Sequence, residues 1–543
     1  MNINNNKSQR QQQGRYPFER FASVTSYTAF DFLTNDPSWI IYIADTNGQF
    51  NLWRQRSSLS SQGEPYASYR LTNFIDEAVR YVFPSPVDNS VILFADHKGA
   101  ENFQIYKIED AFHASPESIT QNPRVRHEWG SECFSHDGKY IAYGSNEENP
   151  SNMLVHVRNM NSSSNETFCI TNKDGWYIPG YWSPDNKKIN CSELITLSHY
   201  DIWLLDIKNN EMVQITPSPD EAEKSRFIVG PWSPDGKGFY VISDLQREYA
   251  SLAFYDTDKS ELGWILTPEH DIELVDLSSD GTTLAWTENV DGYSSVFTKD
   301  LRNGNVEEIT SLSLNGVIED LKLSSDGKRM GIMITPITPS DIYVIDISKD
   351  KDNSNNIQKI TYSLLGNVPE NLLIRPDLIR YRSFDGLEIS SFLYKPKVDI
   401  VNNKPQKFGA ILSIHGGPTA QEKPLYDYSG LYQYLANNGL AVIAPNFRGS
   451  KGYGKSFEKK IYHDWGGNEL KDLEYAVKWL ISQKEIDPNR IGVFGASFGG
   501  FAALSCITRL PQYNWKAAVD IVGPSNLVTF AKAVPEHWRQ KAK

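Results

Sequence analysis

The stretch RIGVFGASFGGFAAL, from Arg490 to Leu504, places Ser497 between two glycines directly after a short apolar run. The run has the length of a buried strand, and a segment with helical spacing follows the serine. A serine at such a turn is typical of a nucleophile elbow, where Gly495 and Gly499 leave room for a strained backbone. The stretch therefore predicts Ser497 as a nucleophile; the alternative is a glycine-rich turn that carries an inert serine.

Strands alternate with helices around this elbow, from about Arg380 onward. The runs FGAILSIHGGP, LAVIAPNFRGS and WKAAVDIVG are expected to be strands, and YSGLYQYLANNG and GGNELKDLEYAVKWLISQKEI are expected to be helices. This is the order of elements in an α/β-hydrolase sheet, with the serine at a strand-to-helix turn. We therefore assign residues 371–543 to an α/β-hydrolase domain.

The hydrolase part also offers donors for an oxyanion hole. Phe498 follows the nucleophile at the start of the predicted helix, so its backbone N–H is expected to be one donor. A second donor is expected from the loop HGGP, His415 to Pro418, which follows an earlier strand. Gly416 and Gly417 let the backbone approach a developing negative charge with no Cβ in the way. We interpret His415 as a residue that fixes this loop and not as the catalytic base.

The chain before residue 371 is a repeat. One signature is a turn of the Ser-Pro-Asp-Gly-Lys type before a β-rich run, and the other is a Leu-Thr or Ile-Thr pair that closes each unit. Each occurs seven times, and the spacing of 45–50 residues matches a four-stranded β-propeller blade. The sequence therefore predicts a seven-bladed β-propeller over residues 21–370, preceded by a disordered polar tail over residues 1–20.

The composition is that of a globular protein, which we place in the cytoplasm. The net charge of −13 favours solubility and argues against nucleic acid as a partner. The apolar runs are too short to cross a bilayer, and the polar N-terminus does not have the pattern of a secretory signal. The four cysteines lack the close pairing of zinc motifs, so free thiols and no metal site are expected. They are Cys133, Cys169, Cys191 and Cys506.

The propeller repeats and the motifs HGGP, NFRGSKGYG, DWGG, DPNRIGVFGASFGG and DIVGPSNL together resemble the prolyl oligopeptidase family of serine peptidases. The acylaminoacyl-peptidase and dipeptidyl-peptidase-like branch is the most similar, and the resemblance covers nearly the whole chain. It implies an enzyme that cleaves short peptides, admitted by the propeller to a cavity between the domains. It also implies Ser497 as nucleophile, backbone oxyanion donors at Phe498 and Gly417, and no metal or organic cofactor. Arg448 and Tyr453 would lie near the catalytic face without a definite role.

A serine nucleophile requires a histidine to take its proton and an acid to orient that histidine. In this fold both follow the serine along the chain, each after a later strand. The candidates are Asp520, inside an apolar strand, and Glu536 and His537, which precede any further strand. We therefore expect the C-terminal part of the hydrolase domain, with its Asp and His, to be missing and the chain to be inactive alone. Whether that part is truncated, carried by another chain or lost stays open.

Two other functions stay open as alternatives. A catalytically dead hydrolase domain would leave a propeller-based peptide-binding protein, and an esterase would use the same elbow and oxyanion loop. The propeller disfavours the esterase, because small esters need no such filter. Residue specificity, endopeptidase against exopeptidase preference, and assembly into a homo-oligomer are left undecided. Glutamates at blade ends, such as Glu147 and Glu148, are interpreted as solvated loop charges.

Overall fold

The computed structural model describes residues 16–46, 48–113, 115–161, 166–196, 199–216, 225–309, 316–348, 356–397, 400–401, 404–405, 407–427 and 429–534. None of the helices within these ranges is long and apolar enough to cross a membrane.

Seven four-stranded antiparallel sheets make up the first part of the chain, and each is formed by four consecutive strands. The strands of the first four sheets are β1 (Ser26–Phe32), β2 (Trp39–Asp45), β3 (Phe50–Arg56), β4 (Tyr69–Arg70), β5 (Glu77–Pro84), β6 (Val91–His97), β7 (Gln104–Ile108), β8 (Glu117–Ser118), β9 (His127–Glu128), β10 (Tyr140–Ser145), β11 (Leu154–Asn159), β12 (Thr167–Cys169), β13 (Tyr177–Trp182), β14 (Lys188–Thr196), β15 (His199–Asp206) and β16 (Glu211–Gln214). Those of the last three are β17 (Phe227–Trp232), β18 (Gly238–Ser243), β19 (Ser251–Asp256), β20 (Glu261–Leu266), β21 (Asp271–Leu277), β22 (Thr283–Val290), β23 (Tyr293–Asp300), β24 (Val306–Glu308), β25 (Val317–Leu323), β26 (Arg329–Thr335), β27 (Asp341–Asp346) and β28 (Ile357–Lys359). The predicted seven-bladed β-propeller is confirmed.

Both repeat signatures have a hydrogen-bonding role. In the turn between the first two strands of a blade, the aspartate accepts from the serine two positions earlier, as Asp235 does from Ser233 at 2.7 Å. The threonine that closes a blade accepts from a backbone N–H of the third strand, as Thr361 does from Ile342 at 2.8 Å. That threonine donates in turn to a side chain of the same strand, Asp341 in this blade. Both patterns satisfy polar groups that the small sheets cannot pair by themselves.

The propeller ring closes without a shared strand, because the first and the last blade each use their own four strands. Apolar side chains seal this junction: Phe30 and Tyr42 of the first blade share a buried cluster with Met333 and Val344 of the last. The Gln55 side chain adds a hydrogen bond across the junction to the carbonyl oxygen of Ile360, at 2.9 Å. The ring is therefore held by side-chain packing and single hydrogen bonds.

The last part of the chain is an α/β-hydrolase domain around a six-stranded sheet with the strand order β29-β30-β34-β33-β35-β36. The first two strands run antiparallel to their neighbours, and the remaining four are parallel. Helices cover the sheet with a contiguous apolar core. The elements are β29 (Asp377–Arg382), β30 (Glu388–Tyr394), a hairpin of β31 (Ile400–Val401) and β32 (Lys404–Pro405), β33 (Phe408–Ile414), α2 (Leu431–Asn437), β34 (Leu440–Pro445), α3 (Lys455–Glu458), α4 (Asn468–Ser482), β35 (Ile486–Ala496), α5 (Phe498–Arg509), β36 (Ala517–Ile521) and α6 (Leu527–Ala533).

The structure places the start of the chain differently from the predicted boundary at residue 20. Residues Phe18–Ala22 form a short helix, α1, that belongs to neither a tail nor a blade. Phe18 packs edge-on against Tyr434 of α2, and the Tyr426 hydroxyl donates to the carbonyl oxygen of Phe21 at 2.7 Å. The aromatic residues of this polar segment explain the difference, since they bury themselves against the hydrolase domain. Residues 1–15 of the predicted tail lie outside the described residues.

The two domains meet through loops of the fifth and sixth blades. Arg226, before β17, pairs with Glu458 of α3 at 3.0 Å. The Lys423 ammonium pairs with Glu273 of β21 at 2.7 Å. Both propeller residues lie at the start of the first strand of a blade, so this face of the propeller carries the hydrolase domain.

Candidate active site

Ser497 lies at the turn between β35 and α5, as the sequence predicts. Its backbone is strained, with φ 55° and ψ −122°, a conformation that an L-residue adopts only when the surroundings enforce it. Its N–H donates to the carbonyl oxygen of Ile521 at the end of β36, at 2.8 Å. The side chain is exposed. Strand, turn and helix thus present the hydroxyl at the carboxyl ends of the parallel strands.

The backbone around the two elbow glycines, Gly495 and Gly499, leaves no space for a side chain at either position. A methyl group at Gly495 would lie 2.3 Å from the carbonyl oxygen of Gly499. A methyl group at Gly499 would lie 2.0 Å from the carbonyl oxygen of Ile414, at the end of β33. Both distances are far below a van der Waals contact, so the helix can approach the sheet only with glycine at these positions.

The loop His415–Pro418 lies directly beside the elbow. A methyl group at Gly416 would lie 3.5 Å from the Cβ of Ser497. Gly417 has a φ of 116°, a conformation open to glycine, and a methyl group there would lie 2.5 Å from the backbone nitrogen of Thr419. Phe498 is the first residue of α5, where N–H groups have no partner within the helix. The structure thus brings three of the sequence-predicted residues, Ser497, Phe498 and Gly417, to one place.

His415 is held within the loop that it starts. One ring nitrogen lies 2.8 Å from the carbonyl oxygen of Gly416, and the other lies 2.9 Å from the hydroxyl of Ser450. The ring stacks on Phe447, with 4.4 Å between the ring centres. Burial lowers the pKa of His415 to about 4, so the ring is neutral at physiological pH. These contacts support the interpretation of His415 as a loop-fixing residue.

Arg448 and Tyr453 brace the loop after β34. The Arg448 guanidinium donates to both carboxylate oxygens of Asp472 at 2.8 and 2.9 Å, and it also pairs with Asp385. The Tyr453 hydroxyl accepts from the side chain of Asn446 at 2.9 Å. Sequence reasoning missed Asp385 and Asp472, because nothing near either residue in the chain marks it as a partner of Arg448.

Of the three sequence candidates for the acid and the base, the structure describes Asp520. Asp520 lies in β36, and its carboxylate accepts from the N–H of Gly523 at 2.7 Å. The same oxygen would lie 2.2 Å from a methyl group at Gly500, so the carboxylate is packed against the first turn of α5. Glu536 and His537 lie outside the described residues. Within the described ranges, no hydrogen bond is made to the Ser497 hydroxyl.

Comparison with known proteins connects this geometry to one family. Residues 426–542 match the prolyl oligopeptidase family. This chain thus resembles the prolyl oligopeptidase family, as its motifs predict. It is therefore a serine-type peptidase by family, as the elbow and the propeller predict.

Relatives of this peptidase match it over almost its whole length. The dipeptidyl aminopeptidase BIII of Pseudoxanthomonas mexicana is 24% identical over 530 residues, which cover 93% of this chain and 71% of the relative. The dipeptidyl peptidase family member 6 of Caenorhabditis elegans is 24% identical and covers 93% of this chain and 70% of its own. A puromycin-hydrolyzing peptidase of Mycobacterium tuberculosis has the same fold, with a TM-score of 0.77, 16% identity, and coverage of 96% of this chain and 81% of its own.

Proposed function

We propose that this chain acts on short peptides and that Ser497 is the nucleophile. The closeness of the elbow to the loop His415–Pro418 carries the proposal, since a methyl group added at Gly416 would lie in van der Waals contact with the Cβ of Ser497. In the proposed reaction the Ser497 Oγ attacks the scissile carbonyl carbon. The N–H groups of Phe498 and Gly417 then donate to the oxyanion that forms. No metal or organic cofactor takes part in this scheme.

The proposed substrates are peptides from which the enzyme removes a dipeptide. Support comes from the relatives, one of which is named a dipeptidyl aminopeptidase and another a dipeptidyl peptidase family member. Acylaminoacyl peptides are the second substrate class to compare, because the same acyl-transfer machinery serves both.

We further propose that residues 1–543 by themselves hydrolyse peptides very slowly. Without a base the serine hydroxyl is a weak nucleophile. The histidine of the adjacent loop, His415, is engaged with Gly416 and Ser450, and its ring is buried. Loss of the histidine in serine hydrolases lowers kcat by about a million-fold, which leaves the oxyanion donors and substrate binding as residual contributions.

The experiment compares wild-type chain and Ser497→Ala on three fluorogenic substrates: a dipeptide amide, an acetylated aminoacyl amide and a simple ester. We expect the same background rate with both proteins. If the wild-type chain hydrolyses a substrate and Ser497→Ala does not, the proposed inactivity of residues 1–543 is wrong and Ser497 is supported as the nucleophile. The substrate that is hydrolysed fastest would then define the substrate class.

The role of Ser497 has a test that does not need turnover. A dipeptide boronate forms a tetrahedral adduct with a serine oxygen and places a boron-bound oxygen where the oxyanion would be. Wild-type protein should bind it at least about 10-fold more tightly than Ser497→Ala, since analogues of the transition state gain from the oxyanion donors. Equal affinity of both proteins would contradict the assigned role and would favour a peptide-binding protein.

A further inference from the structure

The third blade of the propeller carries a cluster of three metal-ligating side chains far from Ser497 in the chain. Glu148 lies in the loop between β10 and β11, His156 lies on β11, and Cys169 lies at the end of β12. One ligand atom from each, a carboxylate oxygen, a ring nitrogen and the sulfur, lies within 4.8 Å of the other two. The cross-strand register produces this cluster, since His156 and Cys169 are paired residues of neighbouring strands.

His156 shows how the cluster is oriented. Its Nδ1 lies 3.0 Å from the carbonyl oxygen of Leu154. A carbonyl oxygen only accepts hydrogen bonds, so Nδ1 carries a proton and donates it. The Nε2 atom lies 2.7 Å from a carboxylate oxygen of Glu148. Both atoms are acceptors when Nδ1 carries the only ring proton, so a second proton or a cation has to lie between them. A backbone carbonyl behind one nitrogen and an anionic ligand beside the other is the usual environment of a metal-bound histidine.

The surroundings hold the ring in this orientation. The residue His156 is only 4% exposed, and its ring stacks on Tyr143 with 5.8 Å between the ring centres and 13° between the planes. Glu148, by contrast, is half exposed, so its carboxylate can shift toward an ion and solvent can reach the site. The site thus combines one rigid ligand on a strand with one adjustable ligand on a loop.

We propose that Glu148, His156 and Cys169 bind a zinc ion. A nitrogen, a thiolate sulfur and a carboxylate oxygen form a mixed donor set that suits Zn²⁺ and Co²⁺, whereas Mg²⁺ and Ca²⁺ require oxygen ligands. Tetrahedral zinc with its usual bond lengths needs ligand atoms roughly 3.3–3.6 Å apart. Small rotations of the Glu148 and Cys169 side chains provide that spacing, and a water molecule supplies the fourth ligand. The ion takes the place of the proton between Nε2 and Glu148 and of the thiol proton of Cys169.

The ion would fix the loop from 146 to 153 to the outer strands of its blade. The loops at the same position in the fifth and sixth blades contact the hydrolase domain, as Glu248 does through Ser456 and Asp291 through Arg380. A zinc ion at the third blade would therefore order a loop on the face of the propeller that carries the peptidase. This site departs from the sequence-based expectation of no metal, because that expectation looked for closely spaced cysteines.

The test uses the full chain without a histidine tag, freed of metal with a chelator and titrated with Co²⁺ and then Zn²⁺. We expect one ion per chain and, with cobalt, a thiolate-to-metal charge-transfer band in the near ultraviolet that zinc abolishes. Cys169→Ser should remove the band, and Cys169→Ser and Glu148→Gln should each lower the zinc affinity at least about 10-fold to 100-fold. Glu147→Gln, which removes the neighbouring charge of the same loop, is the matched control and should bind as wild type does.

Hydrogen exchange provides a second measurement on the same samples. Zinc should slow amide exchange in residues 146–153 of the wild type and of Glu147→Gln, with no such change in Glu148→Gln. The exposed position of Glu148 keeps this arm informative even if Cys169→Ser disturbs the blade. Absence of a one-to-one complex with the wild type, or a charge-transfer band that persists in Cys169→Ser, would overturn the proposal.

Discussion

A methyl group on Gly416 would lie 3.5 Å from the Cβ of Ser497 and 3.2 Å from the carbonyl oxygen of Ala496. The elbow and the loop of the oxyanion donors therefore lie so close that one added methyl group would fill the space between them. On the opposite side of the elbow, Gly499 leaves no room at all between α5 and the end of β33. The nucleophile is positioned by close backbone packing, which makes the glycines and not the serine the residues on which the local fold depends.

Gly499→Ala should destabilise the hydrolase domain. The added methyl group would lie 2.0 Å from the carbonyl oxygen of Ile414, so α5 has to move away from the sheet, at a cost of about 3 kcal/mol or more. Gly263→Ala in β20 is the control, because its nearest neighbour would be a carbonyl oxygen at 3.9 Å. Urea unfolding followed by tryptophan fluorescence measures both, and similar midpoints for the two variants would contradict this account of the elbow.

The features that the sequence predicts well are those whose interactions are local. The Ser-Asp turn and the blade-closing threonine are short hydrogen-bonded patterns, so counting them gives the number of blades. Ser497, Phe498 and the loop around Gly417 are recognisable for the same reason, since each depends on its own few residues.

Features that depend on contacts between distant residues could not be predicted. The helix Phe18–Ala22 lies across the predicted boundary between the polar tail and the propeller, yet it docks on the hydrolase domain, where Tyr426 bonds to Phe21 from 405 positions later in the chain. The zinc ligands proposed for the third blade come together only through the register of two strands, which spacing in the sequence does not reveal. The partners of Arg448 lie 24 and 63 positions away.

Arg448→Ala should strongly destabilise the hydrolase domain. Asp472 is completely buried, and the Arg448 guanidinium is the cation that pairs with it, so the substitution leaves an uncompensated buried carboxylate. Breaking such a pair by removing one partner costs about 3–5 kcal/mol. Urea unfolding of the variant measures the loss.

Asp385→Asn provides the comparison for that loss. It removes the other partner of Arg448, but Asp385 is 40% exposed and solvent screens its charge, so a loss of about 1 kcal/mol or less is expected. The hydrogen bond from Arg448 also holds the pKa of Asp385 below its usual value, so this smaller contribution is lost as the pH falls through that lowered pKa. Equal losses in the two variants at pH 7 would show that burial of Asp472 does not set the energy.

Asp31→Asn should stabilise the propeller at neutral and higher pH. Asp31 lines a cavity of about 360 Å³, where Lys322 interacts with the carboxylates of Asp31, Asp276 and Asp320. Burial raises the pKa of Asp31 to about 7, and the two neighbouring carboxylates add to the effect against the opposing influence of Lys322. At pH 8 the variant should be more stable by on the order of 2 kcal/mol.

The sign of this effect follows from the proton that the folded state retains. Between pH 4 and pH 7 the folded protein holds a proton on Asp31 that the unfolded chain releases, so Asp31 makes stability fall as the pH rises through this window. The advantage of Asp31→Asn should therefore vanish near pH 4. Asp235→Asn is the control of opposite sign, because the hydrogen bonds of its turn, led by that from Ser233, lower the pKa of Asp235 to about 2. Melting temperatures measured from pH 4 to pH 8 test both, and a pH-independent effect of Asp31→Asn would contradict the explanation.

Val522→Asn should stabilise the hydrolase domain and reduce its self-association. Val522 follows β36 with a φ of 51° and an exposure of 86%, so a β-branched side chain stands in the left-handed region without any packing to compensate. Asparagine adopts this conformation more easily, and a gain of about 1 kcal/mol is expected. Val519→Asn in β36 is the matched control, since it removes a comparable exposed valine, 51% accessible, from regular strand backbone. Light scattering should fall in both variants because each removes an exposed apolar side chain. The unfolding midpoint should rise only in Val522→Asn. A rise of equal size in Val519→Asn would show that loss of exposed apolar surface, and not relief of backbone strain, is the cause.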